Sequence, residues 1–126
     1  MLETFLAEAS RSPLIWGVND CAMMLANWWM HRHGVDPALH LRGVYSTELE
    51  CLALVGGSGG ILALVDQIAS RTGARPVAYP IAGDIGVIEV HGQQFAAIMA
   101  PTGRWMVKAS RGMAGYRCGH LKAWSV

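Results

Sequence analysis

Trp16-Gly17-Val18-Asn19-Asp20-Cys21 is the stretch of this chain that decides both its fold and its candidate chemistry. Asn19 or Asp20 can cap a helix, and Gly17 allows a tight entry into it. Residues 22–33 are mostly apolar and end before Gly34, a typical helix stop. The pattern therefore predicts a helix with Cys21 in its first turn. Free backbone N–H groups and the helix dipole stabilise a thiolate there, so Cys21 is a candidate nucleophile; the alternative is a small buried cysteine.

The rest of the chain divides into a helical half and a strand half. Apolar spacing predicts a first helix that begins near Leu2 and ends near Ser10 to Pro13, and helices over 47–55 and 61–71. Thr47 is a predicted cap, Glu50 lies at the capping-box position, and Gly73 is a predicted stop. Short apolar runs predict strands over 84–90, 95–100 and 105–109, and residues 121–126 can add a last strand. This order predicts one α+β domain over 1–126, with N-terminal helices packed on a small antiparallel sheet.

Composition narrows the classes of function. The net charge of +1 gives no reason to expect nucleic acid or an anionic membrane as a partner, and no apolar run is long enough to span a bilayer. Charged residues make up 15% of the chain, against about 25% in an average soluble protein. So few charges indicate a surface that is covered by other proteins, and some of the five tryptophans are expected to contribute to it.

The three cysteines, Cys21, Cys51 and Cys118, are widely spaced and odd in number. The first residues carry no basic segment of the kind that begins a signal peptide, so we expect synthesis in a cytoplasm and reduced thiols. Cys118 and His120 form a Cys-x-His pair without a second pair at ligand spacing. We therefore expect neither a metal site nor a cofactor.

Three segments together resemble a known family. Trp-Gly-x-x-Asp-Cys at 16–21, followed by Gly83-Asp84 at the start of a strand, resembles the NlpC-type cell-wall peptidases of the papain-like group. The segment Arg-Gly-Val-Tyr-Ser-Thr at 42–47 and the closing Ala-Trp-Ser-Val at 123–126 are similar to small NlpC-like proteins encoded in phage and prophage tail-gene modules. The resemblance implies a papain-like fold with Cys21 as the nucleophile.

The same resemblance shows where this chain departs from active enzymes. Those enzymes place a histidine base at the start of the strand after the Gly-Asp strand, and Gln94 lies at that position here. Their third polar residue, which orients the histidine, corresponds to Lys108. Glutamine cannot accept a proton at neutral pH. The departure weakens the expectation of hydrolysis.

His91 is the candidate replacement base. If the hairpin turn is Gly92-Gln93, His91 lies opposite Gln94 and shares its face of the sheet, from which Glu89 could orient it. The alternative for both is exposure at the hairpin. His31, His33, His40 and His120 are weaker candidates because of their positions in the chain. Asp20 is interpreted as a helix cap, and Asp84 as a residue that holds the turn into its strand.

Two hypotheses of different classes follow. The first is a structural subunit of a phage or prophage tail tip, or baseplate, with degraded catalysis, which contacts other tail-tip proteins in the virion. The second is an active cysteine endopeptidase or amidase that cuts the stem peptides of cell-wall peptidoglycan during phage entry. The missing histidine and the low charge favour the first, whereas Cys21 and the candidate base His91 favour the second.

Overall fold

The computed structural model describes residues 1–126 and contains four helices followed by a five-stranded antiparallel sheet. The predicted α+β organisation is confirmed. The helices are α1 (Leu2–Arg11), α2 (Cys21–His33), α3 (Glu48–Gly57) and α4 (Ile61–Thr72). The strands are β1 (Ile85–Val90), β2 (Gln93–Met99), β3 (Trp105–Lys108), β4 (Met113–Tyr116) and β5 (Lys122–Trp124), in the spatial order β4-β3-β2-β1-β5.

The helix ends follow from residues that cap them. Asp20 and Thr47 are the N-caps of α2 and α3, and each side chain accepts hydrogen bonds from backbone N–H groups of the first turn. The Glu50 carboxylate accepts hydrogen bonds across the start of α3, as expected for a capping-box residue. Gly34 and Gly73 end α2 and α4 in the left-handed conformation, each with φ of 73°. These predicted boundaries are confirmed.

The hairpin between β1 and β2 turns at His91 and Gly92, because Glu89 pairs with Gln94. Both turn residues have positive φ, 52° and 76°. Two positive φ values characterise the type I′ turn, whose twist matches that of the flanking strands. The predicted turn at Gly92-Gln93 is therefore wrong by one residue, and so is the pairing of His91 with Gln94.

Two strands complete the sheet at opposite edges. The predicted last strand is present as β5, which pairs with β1. The strand β4 was not expected from the glycine-rich sequence after Gly112, and it pairs with β3 along its whole length. Gly115 in β4 makes room for a long side chain of β3, because a Cβ atom there would lie 3.1 Å from the sulfur of Met106.

The sheet packs on both faces. One face, with Val87, Ala96 and Ile98, is covered by buried residues of α1, α2 and α4. The other face is packed by the side chains of the strands themselves, with the Trp105 indole lying over Gly86. A Cβ atom at Gly86 would lie 2.7 Å from that ring. A third cluster, formed mainly by α2, the 38–45 loop and α4, lies beside the α2 N-terminus and supports it.

The tryptophans mostly belong to this core. Trp28, Trp105 and Trp124 are buried, and Trp16 and Trp29 are half-buried. The expectation that some tryptophans contribute to an apolar surface is thus limited to Trp16 and Trp29. The most exposed large apolar residues are mainly aliphatic, and they include Leu39, Leu49, Leu52, Tyr79 and Ile81.

No single helix is long and apolar enough to cross a membrane. Only α3 and α4 taken together reach that length and composition, and they are bent by 72° at the break between them. The buried residues of α4, Leu64, Val65 and Ala69, pack in the core of the domain.

Candidate functional site

The position of Cys21 at the start of α2 depends on Asp20. The Asp20 carboxylate is buried and accepts hydrogen bonds from the backbone N–H groups of Ala22 and Met23, at 3.1 and 3.0 Å. Capping by a carboxylate is favourable because the first N–H groups of a helix have no partner within the helix. As the sequence predicts, Cys21 is the first residue of the helix.

The second carboxylate oxygen of Asp20 joins two distant segments. It accepts hydrogen bonds from the Gly17 N–H at 2.9 Å and from the Tyr45 hydroxyl at 2.6 Å. Gly17 has φ of 80°, and a Cβ atom there would lie 2.2 Å from the carbonyl oxygen of Tyr45. The Gly43 N–H in turn donates to the Gly17 carbonyl at 3.1 Å. The segments 16–21 and 42–47 therefore form one hydrogen-bonded unit.

Arg42 extends this unit on its exposed side. Its guanidinium donates two hydrogen bonds to the Asp36 carboxylate and one to the Val18 carbonyl, the last at 3.3 Å. The hydrogen bond from Arg42 holds the pKa of Asp36 below its usual value. Asp20, Tyr45 and Arg42 thus hold the entry to α2 whether or not Cys21 reacts.

The electrostatic setting of Cys21 disfavours a thiolate. Burial first, and then the charge of Asp20, raise the pKa of the thiol from its ordinary value of 9.0 to about 11. Backbone hydrogen bonds from Ala96 and Ala22 act in the opposite direction but do not compensate. At pH 7 a thiol with this pKa is ionised in roughly one molecule in ten thousand. Burial therefore outweighs the helix N-terminus.

The β2 residue in contact with the Cys21 sulfur is Ala96, which is fully buried and donates its backbone N–H to the sulfur. Gln94 lies on the same face of β2 but two residues away, about 7 Å along the strand. Its side-chain oxygen accepts a hydrogen bond from the Leu62 N–H at 3.1 Å, in the first turn of α4. Because the N-cap Gly60 has no side chain, Gln94 supplies the cap of α4 from the sheet.

Lys108 is also brought to this face. Lys108 pairs with Met113 of β4, and Met113 packs against the same core cluster as Ala96. Its ammonium group is directed to backbone carbonyls, donating to that of Ser12 at 2.5 Å and approaching that of Gly112 at 3.5 Å. The side chain is buried, and burial lowers the pKa of Lys108. Lys108 thus holds the end of α1 against the sheet and faces no imidazole.

His91 lies away from Cys21. It is an exposed turn residue, four positions beyond Val87, the partner of Ala96 in β1. That separation is about 13 Å along the strand. Glu89 is exposed as well and so is not positioned to orient an imidazole at Cys21.

The other histidines have partners elsewhere on the molecule. Their neighbours are Trp28 and Phe5 for His31, Trp29 for His33, Arg71 for His40 and Trp105 for His120. No cluster of three or more His, Cys, Asp or Glu side chains is arranged to hold a metal ion. All three cysteines are free, and Cys118 is exposed.

Two features near the site were not predicted. Cys51 of α3 lies close enough to Tyr45 and Asp20 for burial and the charge of Asp20 to raise its pKa. Burial, together with the hydrogen bond to Asp20, likewise raises the pKa of Tyr45. The motif Arg-Gly-Val-Tyr at 42–45 contains the tyrosine, but only the folded structure shows that its hydroxyl donates to Asp20.

Asp84 has the role that the sequence indicates. Its carboxylate is buried and accepts a hydrogen bond from the Ile81 N–H at 2.9 Å, which closes the turn before β1. The adjacent Gly83 has φ of 93°, and its carbonyl accepts a hydrogen bond from the Trp28 indole at 2.7 Å. The Gly-Asp pair therefore fixes β1 against α2.

Comparison with known proteins adds a family but no activity. No curated protein and no solved structure matches this chain. One family model matches residues 1–126, that is, the whole chain. The protein therefore belongs to the family described as a domain of unknown function, DUF6950.

Proposed function

We propose that this protein is a structural subunit of a phage or prophage tail tip, built on an NlpC-like cysteine peptidase fold that has lost its catalysis. The observation that carries the loss of catalysis is that Ala96, the β2 residue whose backbone N–H donates to the Cys21 sulfur, has no titratable side chain. Cysteine peptidases need an imidazole within hydrogen-bonding reach of the sulfur, at about 2.6–3.2 Å or somewhat farther in an unliganded site. Here the strand next to the thiol provides no titratable group.

The setting of the thiol supports the same proposal. In active Cys–His pairs the positive imidazolium lowers the pKa of the thiol, to about 3–4 in the papain case. Cys21 has instead the negative carboxylate of Asp20 as its nearest charged neighbour, and its pKa is raised to about 11. Gln94 and Lys108, at the positions of the base and its orienting residue in the family resemblance, are engaged with α4 and α1.

The assignment to a tail tip is supported by resemblance and by the surface. The segments 42–47 and 123–126 are those that resemble the small NlpC-like proteins of tail-gene modules, and 16–21 resembles the NlpC-type peptidases. The scarcity of charge and the exposure of large apolar side chains such as Leu49, Tyr79 and Ile81 fit a subunit that is covered in an assembly.

The competing candidate is an active endopeptidase or amidase on peptidoglycan. The placement of Cys21 at a helix N-terminus, next to the N–H groups of Ala22 and Ala96, is the observation that favours it. An active enzyme would have to recruit its base by moving a histidine to Cys21, since the five histidines lie elsewhere in this structure.

Two assays on matched samples decide between the candidates. Zymography on purified cell walls compares the wild type with Cys21→Ala, and Cys118→Ala serves as the control for an exposed thiol. Mass spectrometry of purified phage particles from a strain that carries the gene tests incorporation. We expect no clearing by any variant, and we expect both variants in particles. Clearing that disappears only in Cys21→Ala would contradict the loss of catalysis, and absence from purified particles would contradict the tail-tip assignment.

A further inference from the structure

Helix α3 is apolar on two opposite sides. One side, with Cys51, Leu54 and Val55, packs against the cluster beside the α2 N-terminus. The opposite side is exposed along its length and consists of Leu49, Leu52, Ala53 and Gly56. The two leucines are 77% and 59% exposed. Their i, i+3, i+4, i+7 spacing is that of a helix face which packs against another helix. We call these four residues the outer stripe.

We propose that the outer stripe is the contact between two copies of this chain, with the two α3 helices antiparallel. When antiparallel helices cross between positions 52 and 53, Leu49 of each copy faces Gly56 of the other. Leu52 likewise faces Ala53. Each large side chain of the stripe therefore meets a small residue across the two-fold axis, as a self-complementary interface requires. Both pairings occur in the same register.

Gly56 supplies an independent argument. It lies within α3 with no left-handed φ, and a Cβ atom there would meet no atom within 4 Å. Glycine is among the poorest helix formers, and nothing in the monomer requires it at this position. A partner's leucine packed over the helix backbone would require it. The absent side chain leaves room for such a contact, as the same open space does at the neighbouring Gly57.

The charges of α3 favour a second copy in the antiparallel orientation. Glu48 and Glu50 flank the start of the outer stripe, and the last turn carries no charged residue. A parallel pair would bring the acidic turns together. In the antiparallel pair Glu48 lies beside the partner's last turn, about 13 Å along the axis from the partner's Glu48 by helical rise. That separation exceeds the Debye length of roughly 8 Å at physiological salt.

The contact is small, because it involves one short helix from each copy. Interfaces below the standard size form weak or transient complexes. We therefore expect a dissociation constant in the micromolar range or weaker, and a dimer that is visible only when the protein is concentrated.

Sedimentation equilibrium from about 5 to 500 µM measures this association. The wild type is compared with Gly56→Leu, which fills the space for the partner's leucine, and with Leu49→Ala/Gly56→Leu, which exchanges large and small residues. We expect Gly56→Leu to weaken the dimer at least tenfold, and the double variant to recover most of that loss. Tyr79→Ser is the control. It removes an apolar side chain that is 91% exposed on the loop before β1, away from the outer stripe, and it should leave the association unchanged.

Leu49→Gln is a second variant that should disrupt the dimer. It leaves the core packing unchanged, because the Leu49 side chain is 77% exposed. Circular dichroism melting of each variant establishes that it is folded. A wild type that remains monomeric at 500 µM would overturn the proposal. So would a folded Gly56→Leu or Leu49→Gln that dimerises as strongly as the wild type, or binding of a different tail protein through the outer stripe in place of a second copy.

Discussion

At the scale of single residues, Asp20 is the centre of the site. Its buried carboxylate accepts hydrogen bonds from Gly17, Ala22, Met23 and Tyr45, and so ties a loop, a helix and a second loop together. A buried carboxylate is tolerated when its lone pairs are satisfied in this way. The same charge raises the pKa of the neighbouring Cys21 thiol. One residue thus stabilises the fold and disfavours the nucleophile.

Gly17→Ala tests how closely the two loops approach. The new Cβ would lie 2.2 Å from the Tyr45 carbonyl oxygen in a backbone with φ of 80°, so the loops must separate. We expect the free energy of unfolding to fall by about 3 kcal/mol or more. Gly43→Ala is the matched control, because Gly43 has φ of 70° but no atom within 4 Å of its Cβ position. That variant should lose only about 1 kcal/mol, and equal losses measured by urea unfolding would contradict this account.

The raised pKa of Cys21 predicts a pH dependence of stability. The folded-state pKa is about 11 and the ordinary value is 9.0. Because the folded state binds this proton more tightly, the contribution is fully present below pH 9 and is lost as the pH rises through 11. The shift corresponds to roughly 2–3 kcal/mol.

Urea unfolding of the wild type and Cys21→Ala between pH 8 and 11.5 isolates this term. The free energy of unfolding of the wild type should fall more steeply than that of the variant. Parallel curves would show that the thiol titrates normally. The shared decline above pH 10 includes Tyr45, whose pKa is also raised.

At the scale of secondary-structure elements, caps and turns were predicted unequally well. The ends of α2 and α4 were predictable because Asp20, Gly34 and Gly73 act locally, on the adjacent helix. The β1–β2 turn was not, because His91 takes a positive φ that is uncommon for a residue with a Cβ atom. A one-residue error in a hairpin changes which residues face each other. The corrected turn therefore removes the reason to expect His91 as a base for Cys21.

The residue that faces Cys21 was missed for a similar reason. Positions 94, 96 and 98 share a face of β2, and the sequence alone does not show which of them lies level with the α2 N-terminus. The structure puts Ala96 there, whereas Gln94 caps α4. β4 was missed because it is four residues long and contains Gly115, a residue that weakens strand predictions.

Gln94 provides a test at this scale. Gln94→Ala removes the side-chain acceptor for the Leu62 N–H and should lower the free energy of unfolding by about 1 kcal/mol. Gln93→Ala, at the exposed neighbouring position, should change it by less than about 0.5 kcal/mol. Gln94→His should lose the same cap without producing wall hydrolysis, because the imidazole would lie two residues from the level of Cys21. Clearing of cell walls by Gln94→His would show that this register is wrong.

At the scale of the whole molecule, the apolar residues that accompany the low charge lie in two kinds of place. Part of the apolar content is a dense core, which includes three of the five tryptophans. Another part is exposed, on the outer stripe at Leu49 and Leu52, on the loop before β1 at Tyr79, and elsewhere, as at Leu39. The composition alone does not reveal which apolar residues form this surface, because burial depends on tertiary contacts.

On the proposed loss of catalysis, Cys21 has no catalytic partner and remains a thiol at neutral pH. The pH dependence of alkylation by iodoacetamide is the decisive test, in a Cys51→Ala/Cys118→Ala background where Cys21 is the only cysteine. Mass spectrometry gives the rate at each pH. The account predicts little modification at pH 7 and a rise in rate with a midpoint near pH 11. A midpoint at or below pH 7, as in a Cys–His pair, would contradict it.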